Sequence, residues 1–251
     1  MCNDTKKINY NHLYNNAILQ RRIISPKNFT YYYQLRLIEK YTRKERFEKI
    51  LDVGCGVGTL DFYLAAMGVK VTGIDISAKA IKLCINNAIF LNVSKNTKFL
   101  AGNFLKVKIK DKYDAILCFE VLEHLDNDQN TLEKISNLLT NSGILFLSVP
   151  SKSTLLYKLQ LLRKFDQKVG HLRRYSEKEI VSLIKKYLNI IEVHKIESPF
   201  RNILFVSNHL KFIVKFLNNF GLLSVLISKI DIFFCKLFGE SNIILVAKKK
   251  S

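Results

Sequence analysis

The sequence predicts an α/β fold in which a doubly wound, mostly parallel sheet carries helices on both faces. Short apolar runs alternate with helical stretches from about Lys49 onward, and such alternation is typical of a parallel sheet. The first apolar run ends in a glycine-rich turn, "KILDVGCGVGTL", of the kind that lets backbone approach a ligand closely. The composition is 48% hydrophobic, so a sizeable core can be buried.

Each element follows from its pattern. The predicted strands are "KILDVGC", "KVTGIDI", "TKFLAGN", "YDAILCF", "GILFLSVP", "LNIIEVHKI" and "SNIILVAKK". Helices are predicted over about 59–67, 77–91 and 127–140, after the first, second and fourth strands. Residues 1–48 are predicted to form a helical N-terminal cap with a break at Pro26, and residues 49–251 the main domain. The whole is effectively one domain.

A segment between the last two predicted strands, residues 201–239, is unusually apolar. It is predicted to form an amphipathic helical insertion whose longest uncharged stretch is the 13 residues from Phe216 to Ser228, fewer than the roughly 20 that a spanning helix needs. Two interpretations stay open: a lid packed on the domain, or a face laid on a bilayer. On a bilayer, the side chains entering the acyl region would be Phe205, Phe212, Phe216, Phe233 and Phe234. Those meeting anionic head groups would be Arg201, Lys211, Lys215, Lys229 and Lys236.

The net charge of +19 is concentrated in the two flanks of the chain. Residues 1–49 carry a net +7, residues 50–150 carry none, and residues 151–251 carry +12. Such flanks form either an ordinary lysine-rich surface or a face toward an anionic partner, nucleic acid or phospholipid.

The cysteines and the start of the chain predict a cytoplasmic protein. Cys2, Cys55, Cys84, Cys118 and Cys235 show no C-x-x-C pairing, which fits a reducing compartment and argues against a structural zinc site. The polar start, "MCNDTKKINYNH", lacks the apolar core of a signal peptide.

The glycine turn indicates a cationic ligand. Gly54, Gly56 and Gly58 follow the first strand, but Thr59 occupies the position where a dinucleotide fingerprint requires glycine. Asp52 beside the turn would repel a pyrophosphate, whereas it suits S-adenosylmethionine, which carries a sulfonium and an ammonium and no phosphate. Asp75 ends the second strand, 17 residues after Gly58, where a carboxylate can accept both ribose hydroxyls.

Five ordered segments carry a family resemblance: "ILDVGCGVG", "VTGIDIS", "FLAGN", "YDAILCFEVLEHL" and "LLTNSGILFLSVPS". They resemble the class I S-adenosylmethionine-dependent methyltransferases, most closely the type 11 branch that includes quinone-ring O-methyltransferases. The resemblance is strong over about Lys49 to Ser151 and looser through "GHLRRYS" and the final strand. It implies a Rossmann-like seven-stranded sheet with an antiparallel last strand, and S-adenosylmethionine bound across the carboxyl ends of the first strands.

The resemblance also implies roles for individual residues in cofactor binding. The methionine end falls to Asp52 and the Gly54–Gly58 loop, the ribose to Asp75, the adenine to Asn103 and Phe104, where many members have Asp instead of Asn, and the sulfonium to the end of the fourth strand. The predicted cofactor-binding residues are Asp52, Gly54, Cys55, Gly56, Gly58, Asp75, Ile76, Asn103, Phe104, Glu120 and Val121.

Two histidines are candidates for the base that a hydroxyl acceptor requires. His124 lies in "EVLEHL" and His171 in "VGHLRRYS", both where the family lines its pocket. Members with a similar E-x-x-E-H run bind a divalent metal, here at Glu120, Glu123 and His124, but the same run occurs in members without one. The leading prediction therefore includes no metal.

The residues after His171 are candidates for substrate binding. Arg173 and Arg174 form a pair that can fork onto a carboxylate or phosphate, with Tyr175 beside them. The same stretch also leads into a helix, because Ser176 and Glu179 have the spacing of a capping box. Both interpretations can hold together.

The leading functional hypothesis is methyl transfer from S-adenosylmethionine to an oxygen of a small-molecule or lipid-linked acceptor, with peripheral contact to the inner face of the membrane as an extension. One alternative is an RNA or protein methyltransferase that uses the basic flanks, although the chain shows no N-P-P-[YF] signature. The other is a non-catalytic cofactor-binding protein on the same fold. The oligomeric state is left open.

Overall fold

The computed structural model of the protein describes residues 10–14 and 20–250. In this part of the chain the strands form a seven-stranded sheet in the order β3-β2-β1-β4-β5-β7-β6. Their bounds are Lys49–Val53 (β1), Lys70–Asp75 (β2), Thr97–Ala101 (β3), Tyr113–Phe119 (β4), Leu139–Pro150 (β5), Leu188–Ile196 (β6) and Asn242–Lys249 (β7). Each predicted strand is present, and the predicted fold class is confirmed.

Strand β7 runs antiparallel to both of its neighbours, β5 and β6, whereas β1, β2, β3, β4 and β5 pair in parallel. The chain order reverses between β1 and β4, and in open α/β sheets a ligand site forms at such a switch point, beyond the carboxyl ends of the strands. The antiparallel β7 brings its first residue, Asn242, to this same edge, opposite Pro150 and Ile196.

Helices cover both faces of the sheet. Their bounds are Tyr32–Thr42 (α1), Thr59–Ala66 (α2), Ala78–Phe90 (α3), Asp128–Leu138 (α4), Leu155–Lys158 (α5), Arg163–Val169 (α6), Glu177–Lys185 (α7), Pro199–Val206 (α8), Lys211–Asn219 (α9) and Gly221–Phe238 (α10). The three helices predicted after β1, β2 and β4 are confirmed to within a few residues. Ser176 and Glu179 form the predicted capping box at the start of α7.

The N-terminal region is less helical than predicted. Within residues 1–48, the described helices are a 3₁₀ turn, Tyr10–Tyr14, and α1; Cys2 and the rest of residues 1–9 and 15–19 lie outside the described chain. Residues 20–31 are irregular because the Ser25 carbonyl and the Asn28 side chain take local backbone amides, at 2.8 and 3.1 Å, in a turn around Pro26. α1 buries Leu35 and Ile38 in the core on one face of the sheet.

The insertion before β7 has an inverted polarity. α10 turns Ser224, Ser228, Asp231 and Cys235 inward, at helical spacings that define one face. Its outward face is apolar, with Leu222 79% exposed and other large side chains more than half exposed. A helix on a globular domain normally buries its apolar face. Within the described chain, the helices are all too short or too polar to cross a membrane.

A buried charged cluster holds this insertion to α1. Asp231 accepts hydrogen bonds from the Tyr33 hydroxyl at 2.7 Å and from the Ser198 hydroxyl. Arg201 stacks on the Phe29 ring at 3.8 Å and donates to the Phe29 carbonyl. The prediction that Arg201 meets lipid head groups is therefore wrong, because its side chain makes these contacts inside the protein and the residue is 3% exposed.

We expect Tyr33→Phe to lower the free energy of unfolding by about 1.5–3 kcal/mol, because the buried Asp231 carboxylate loses a hydrogen-bond donor. Urea denaturation measures the change. The control is Tyr32→Phe, since Tyr32 is also buried and its hydroxyl makes no hydrogen bond within residues 10–14 and 20–250. An equal loss in both variants would contradict a special role for the Tyr33–Asp231 bond.

Candidate active site

The turn after β1 requires its glycines. Gly54, Gly56 and Gly58 have φ of 74°, 54° and 78°, in the left-handed region that side chains disfavour. A Cβ on Gly54 would also lie 2.3 Å from a methyl carbon of Val121. The amide of Gly54 donates to the carbonyl of Ile74 in β2 at 2.7 Å, which fixes the turn at the edge of the sheet.

Asp75 closes this turn from β2. Its carboxylate accepts the Gly56 amide at 2.9 Å and the Ser77 amide at 2.8 Å. Burial raises the pKa of Asp75, and these two hydrogen bonds oppose the rise. Each carboxylate oxygen keeps a free lone pair, so the group can still accept from a ligand. The neighbouring Ile76 is exposed, as a residue facing a ligand site can be.

Sequence reasoning missed a second acid beneath the turn. Asp61, on the first turn of α2, is fully buried beside Asp52, and burial together with their mutual repulsion keeps the pKa of Asp52 above its usual range. Neither Asp61 oxygen has a hydrogen-bond partner within the described chain. An acid inside the apolar helix "TLDFYLAA" was the available signal. A cationic ligand bound beside the pair would favour its ionised form.

The turn after β3 carries Asn103 and Phe104. The side chain of Asn103 accepts the Leu105 amide at 2.9 Å, and the Phe104 ring is buried. Lys134 of α4 clamps the turn, since its ammonium donates to the carbonyls of Phe104 at 2.6 Å and Val107 at 2.7 Å. A single lysine in a polar helix gives no sequence signal for this role.

Glu120 follows β4 in a left-handed conformation, with φ of 54°, which is uncommon for a side-chain-bearing residue. Its Oε1 accepts from the Ser148 hydroxyl at 2.8 Å and from the Asn242 amide at 2.7 Å. Val121 packs over Gly54. The segment after β4 therefore lies directly against the glycine turn through Val121, and contact of Glu120 and Val121 with the sulfonium stays a prediction.

Three side chains converge just beyond this point. The Nε2 atoms of His124 and His171 each lie 3.8 Å from Glu123 Oε1, and the Leu172 amide ties the two segments together by donating to the Glu123 carbonyl at 2.9 Å. Both oxygens of the buried Glu123 carboxyl lack a hydrogen-bond partner within the described chain. The structure thus brings together the two predicted histidines, which are far apart in sequence.

Partners on the far side of each imidazole fix its orientation. His124 Nδ1 donates to the Gly170 carbonyl at 3.0 Å and His171 Nδ1 to Asp166 at 2.9 Å. With Nδ1 as the donor, Nε2 is the ring nitrogen of each histidine that lies toward Glu123. Asp166 lies in the short helix α6, and its contact with His171 was not predicted from the sequence.

Burial sets the charge state of this cluster. Burial, and then His171, lower the pKa of His124 to about 4, so His124 is neutral at pH 7. Burial and the nearby Glu120 raise the pKa of Glu123 well above its usual range. Without a cation the carboxyl keeps its proton, and a bound cation would displace that proton.

The cluster fits a divalent cation. One ligand atom from each of Glu123, His124 and His171 lies within 4.8 Å of the others. A carboxylate with two imidazoles is a donor set that borderline metal ions accept. The Gly170 carbonyl and the Asp166 carboxylate accept from the two Nδ1 atoms, as is typical of metal-binding histidines. Glu120, which the resemblance placed in such a set, is instead bonded to Ser148 and Asn242.

The residues predicted to bind substrate have partners inside the chain. Arg173 pairs with Asp128 at 3.0 Å, and the Tyr175 hydroxyl donates to the same carboxylate at 3.0 Å. Arg174 is buried and forks onto Asp166, with Nε–Oδ2 and Nη2–Oδ1 distances of 2.9 and 2.6 Å. Arg174 therefore supports the carboxylate that orients His171.

The 3₁₀ turn Tyr10–Tyr14 lies over the same edge of the sheet. The Tyr10 ring stands edge-on to His124 at 5.8 Å between centroids. Asn11 accepts from the Ser77 hydroxyl at 2.7 Å, and the Tyr14 hydroxyl would lie 3.3 Å from a Cβ on Gly56. The N-terminal region thus covers both the glycine turn and the histidines.

Comparison with known proteins identifies the family. A family model described as a methyltransferase domain matches residues 44–200, which is more than half of the chain, and the chain belongs to this family. The match confirms the resemblance drawn from the motifs.

Curated relatives cover only part of the chain. A ubiquinone biosynthesis O-methyltransferase of Glaesserella parasuis serovar 5 is 35% identical over 120 residues, 46% of this chain and 50% of the relative. The mitochondrial enzyme of the same name from Dictyostelium discoideum is 33% identical over 118 residues, 43% of this chain and 37% of the relative. The chain thus spans about half or less of the length of these relatives.

Solved structures share the fold over most of the chain. The N-methyltransferase NodS from Bradyrhizobium japonicum WM9, solved with S-adenosyl-L-homocysteine, has a TM-score of 0.58 at 14% identity and covers 89% of this chain and 88% of its own. Geranyl diphosphate C-methyltransferase from Streptomyces coelicolor A3(2) has a TM-score of 0.58 at 13% identity, with 81% and 70% covered. Enzymes with this fold therefore transfer methyl groups to nitrogen or to carbon. The fold alone does not identify the acceptor atom.

Proposed function

We propose that this protein transfers a methyl group from S-adenosylmethionine to a hydroxyl oxygen of a small-molecule or lipid-linked acceptor. One observation carries the proposal: the glycine turn and the Glu123–His124–His171 cluster meet at one sheet edge, joined where Val121 packs on Gly54. A cofactor site therefore adjoins a set of proton acceptors. The curated relatives are O-methyltransferases, which supports oxygen as the acceptor atom.

The charges of the glycine turn support S-adenosylmethionine as the cofactor. Asp52 and Asp61 lie buried beneath the turn and Asp75 closes it, so a cationic ligand bound at the turn would stabilise the ionised form of these carboxyl groups. A sulfonium and an ammonium are attracted there, whereas a pyrophosphate would be repelled. Contact of the other predicted cofactor-binding residues, including Cys55, Ile76, Asn103 and Phe104, is part of this proposal.

His171 suits the role of general base. Methyl transfer from a sulfonium depends largely on orientation, which can supply about 7–11 kcal/mol, but a hydroxyl acceptor must also lose its proton. Asp166 holds the Nδ1–H of His171 at 2.9 Å and stabilises the imidazolium that forms when Nε2 takes the proton. His124 presents a second neutral Nε2 toward the same space.

In an alternative in which His171 is not the base, a divalent cation would be held by Glu123, His124 and His171. It would lower the pKa of a hydroxyl group bound to it. The protein would contribute the orientation of both imidazoles, through Gly170 and Asp166, and the buried Glu123 carboxyl, which would release its proton to water when it binds the ion.

Contact of Arg173, Arg174 and Tyr175 with the acceptor remains part of the proposal for the site entrance. The ion pairs with Asp128 and Asp166 neutralise both guanidinium groups. They leave little excess positive charge for a carboxylate or phosphate, so a neutral acceptor fits the entrance best.

The outward face of α9 and α10 supports peripheral contact with an anionic membrane, at the inner face in the cytoplasm. Phe212, Phe216 and Phe233 are among the large exposed side chains, and contiguous apolar surface of this kind marks an interaction site. Lysines border the face: Lys211, Lys215, Lys229 and Lys236 are all exposed. The four described cysteines are free thiols, as a reducing compartment requires.

We expect Asp75→Ala to weaken S-adenosylmethionine binding by about 1.5–3 kcal/mol, because the ribose loses a charged acceptor. Calorimetric titration measures the affinity. Asp114→Ala is a matched control, since Asp114 also accepts two backbone amides, Glu48 at 2.9 Å and Lys49 at 3.0 Å, beyond the opposite end of β1. Equal affinities in the two variants would remove Asp75 from the ribose site.

We expect His171→Ala to lower turnover by about 10²–10⁴-fold, the usual contribution of a general base, while cofactor affinity stays near that of the wild type. His124→Ala should act in the same direction, and His194→Ala, on β6 and bonded to Glu192, should not. Transfer of an isotope-labelled methyl group to cellular lipid, metabolite and RNA fractions provides the assay. Full activity in both site variants would remove the histidines from catalysis.

A separate measurement tests whether the Glu123–His124–His171 cluster binds a metal ion. Calorimetric titration of chelator-treated protein with Mn²⁺ or Zn²⁺ should show a site that Glu123→Gln abolishes and Glu120→Gln preserves. Absence of binding in the wild type, with activity retained in chelator, would leave His171 as a base without a metal.

We expect the protein to co-sediment with anionic vesicles at low salt and less at high salt. Lys211→Glu with Lys215→Glu should weaken binding, at about 1 kcal/mol for each lysine near the surface. Lys178→Glu with Lys185→Glu, on α7, changes the net charge equally at exposed positions without an adjacent apolar face. Equal loss in both double variants would reduce the interaction to net charge, and no pelleting at low salt would exclude membrane contact.

A further inference from the structure

β6 ends at the same sheet edge as the candidate active site. Its last residue, Ile196, lies opposite Asn242, whose side-chain amide donates to Glu120 at 2.7 Å. The carbonyl of the next residue, Glu197, accepts the Ser241 amide at 2.6 Å. Glu197 is therefore placed at the same edge of the sheet, on the side away from the glycine turn.

The backbone of Glu197 is strained. Its φ is 61°, close to the 54° of Glu120 at the end of β4. Left-handed residues of this kind persist where neighbouring contacts enforce them, and they cluster at functional sites. The Ser241 bond and the start of α8 at Ser198 enforce it here.

The Glu197 carboxyl lacks a hydrogen-bond partner among residues 10–14 and 20–250. Its ion-pair partner is Arg201, whose Nε lies 4.0 Å from Oε1, beyond hydrogen-bond distance. The carboxylates of Glu120 and Asp231 are each bonded to two side chains. The Glu197 side chain is 13% exposed.

Arg201 cannot move to satisfy this carboxyl. Its guanidinium is stacked on Phe29, and its terminal nitrogens donate to the Phe29 carbonyl and to the Ser228 hydroxyl at 3.0 Å. Its Nε is buried without a hydrogen-bond partner in the same described residues. Leaving a buried hydrogen-bond acceptor unpaired beside an immobile cation costs free energy. A ligand that donates a hydrogen bond to this acceptor would remove the cost.

The surrounding charges select the chemistry of that ligand. Burial raises the pKa of Glu197 to about 7, Arg201 opposes the rise, and Glu120 and Asp231 add to it. The three acids disfavour an anion, and the fixed guanidinium disfavours a second cation. A neutral hydrogen-bond donor remains, and a hydroxyl group is the simplest one.

We propose that Glu197 is a specificity residue that accepts a hydrogen bond from a hydroxyl group of the methyl acceptor other than the one that is methylated. This inference rests on the proposed O-methyltransferase function and extends it to a second hydroxyl group of the acceptor. Discrimination for a substrate hydroxyl then comes from a buried carboxylate that only such an acceptor satisfies.

Acceptors that differ by one hydroxyl group test the assignment. The probes are 4-octylphenol, 4-octylcatechol and 5-octylpyrogallol, measured by calorimetric binding to the S-adenosylhomocysteine complex and by transfer of a labelled methyl group. In the wild type each added hydroxyl that reaches Glu197 should raise affinity and kcat/KM. Glu197→Gln should reduce that advantage by roughly 10-fold to 100-fold, the range for a hydrogen bond to a charged group.

Two further variants keep the test decisive. Glu240→Gln is the matched control, because Glu240 is a buried acid at the same edge whose Oε1 already accepts the Ser151 hydroxyl at 3.0 Å, and it should retain the wild-type preference. Glu197→Asp keeps the charge and should retain part of the preference, and it carries the test if the glutamine variant does not fold.

The outcomes separate this inference from the proposed function. An unchanged preference in Glu197→Gln, or an equal loss toward every probe, would overturn the role of Glu197 while leaving the methyltransferase intact. A wild-type protein that binds S-adenosylhomocysteine but neither binds nor methylates any probe would overturn the proposed function, and this inference with it.

Discussion

The buried contact of Asp231 with Tyr33 and Ser198, together with the stacked Arg201, determines how the C-terminal third of the protein is arranged. A charged group inside a protein is tolerated only when its hydrogen bonds are satisfied, so α10 must turn its polar face inward. The apolar residues of α10 are then forced outward. The exposed face is thus a direct consequence of the hydrogen bonds that hold the helix in place.

The same arrangement links the surface to the chemistry. Arg201 reaches from the core of the insertion toward Glu197, and Asn242 connects that end of the sheet to Glu120. The candidate site therefore has two halves that differ in charge and polarity. The half at the glycine turn concentrates negative charge for a cationic cofactor, whereas the half at β5, β6 and β7 presents polar groups beneath an apolar surface.

Local patterns predicted the elements that are local in sequence. The glycine turn and Asp75 were predicted to bind the cofactor because strand, turn and acid follow one another within a few residues, and this role stays a prediction. His171 was predicted as a base, but its approach to Glu123 was not predicted, since an irregular segment brings the two residues together. Arg201 was misplaced on the surface because helical periodicity cannot show which face a domain buries. Lys134 gave no signal, as its role depends on three carbonyls of a distant turn.

The position of β7 has a consequence for the synthesis of the protein. Strands β1 to β4 and the glycine turn leave the ribosome early, and they can pair while the last third is still being translated. β5 has no partner on its far side until β7 arrives, because β6 reaches the sheet only through that strand. The nascent chain therefore carries an open strand edge, which favours aggregation. The part of this sheet edge that includes Asn242 therefore forms after the glycine turn.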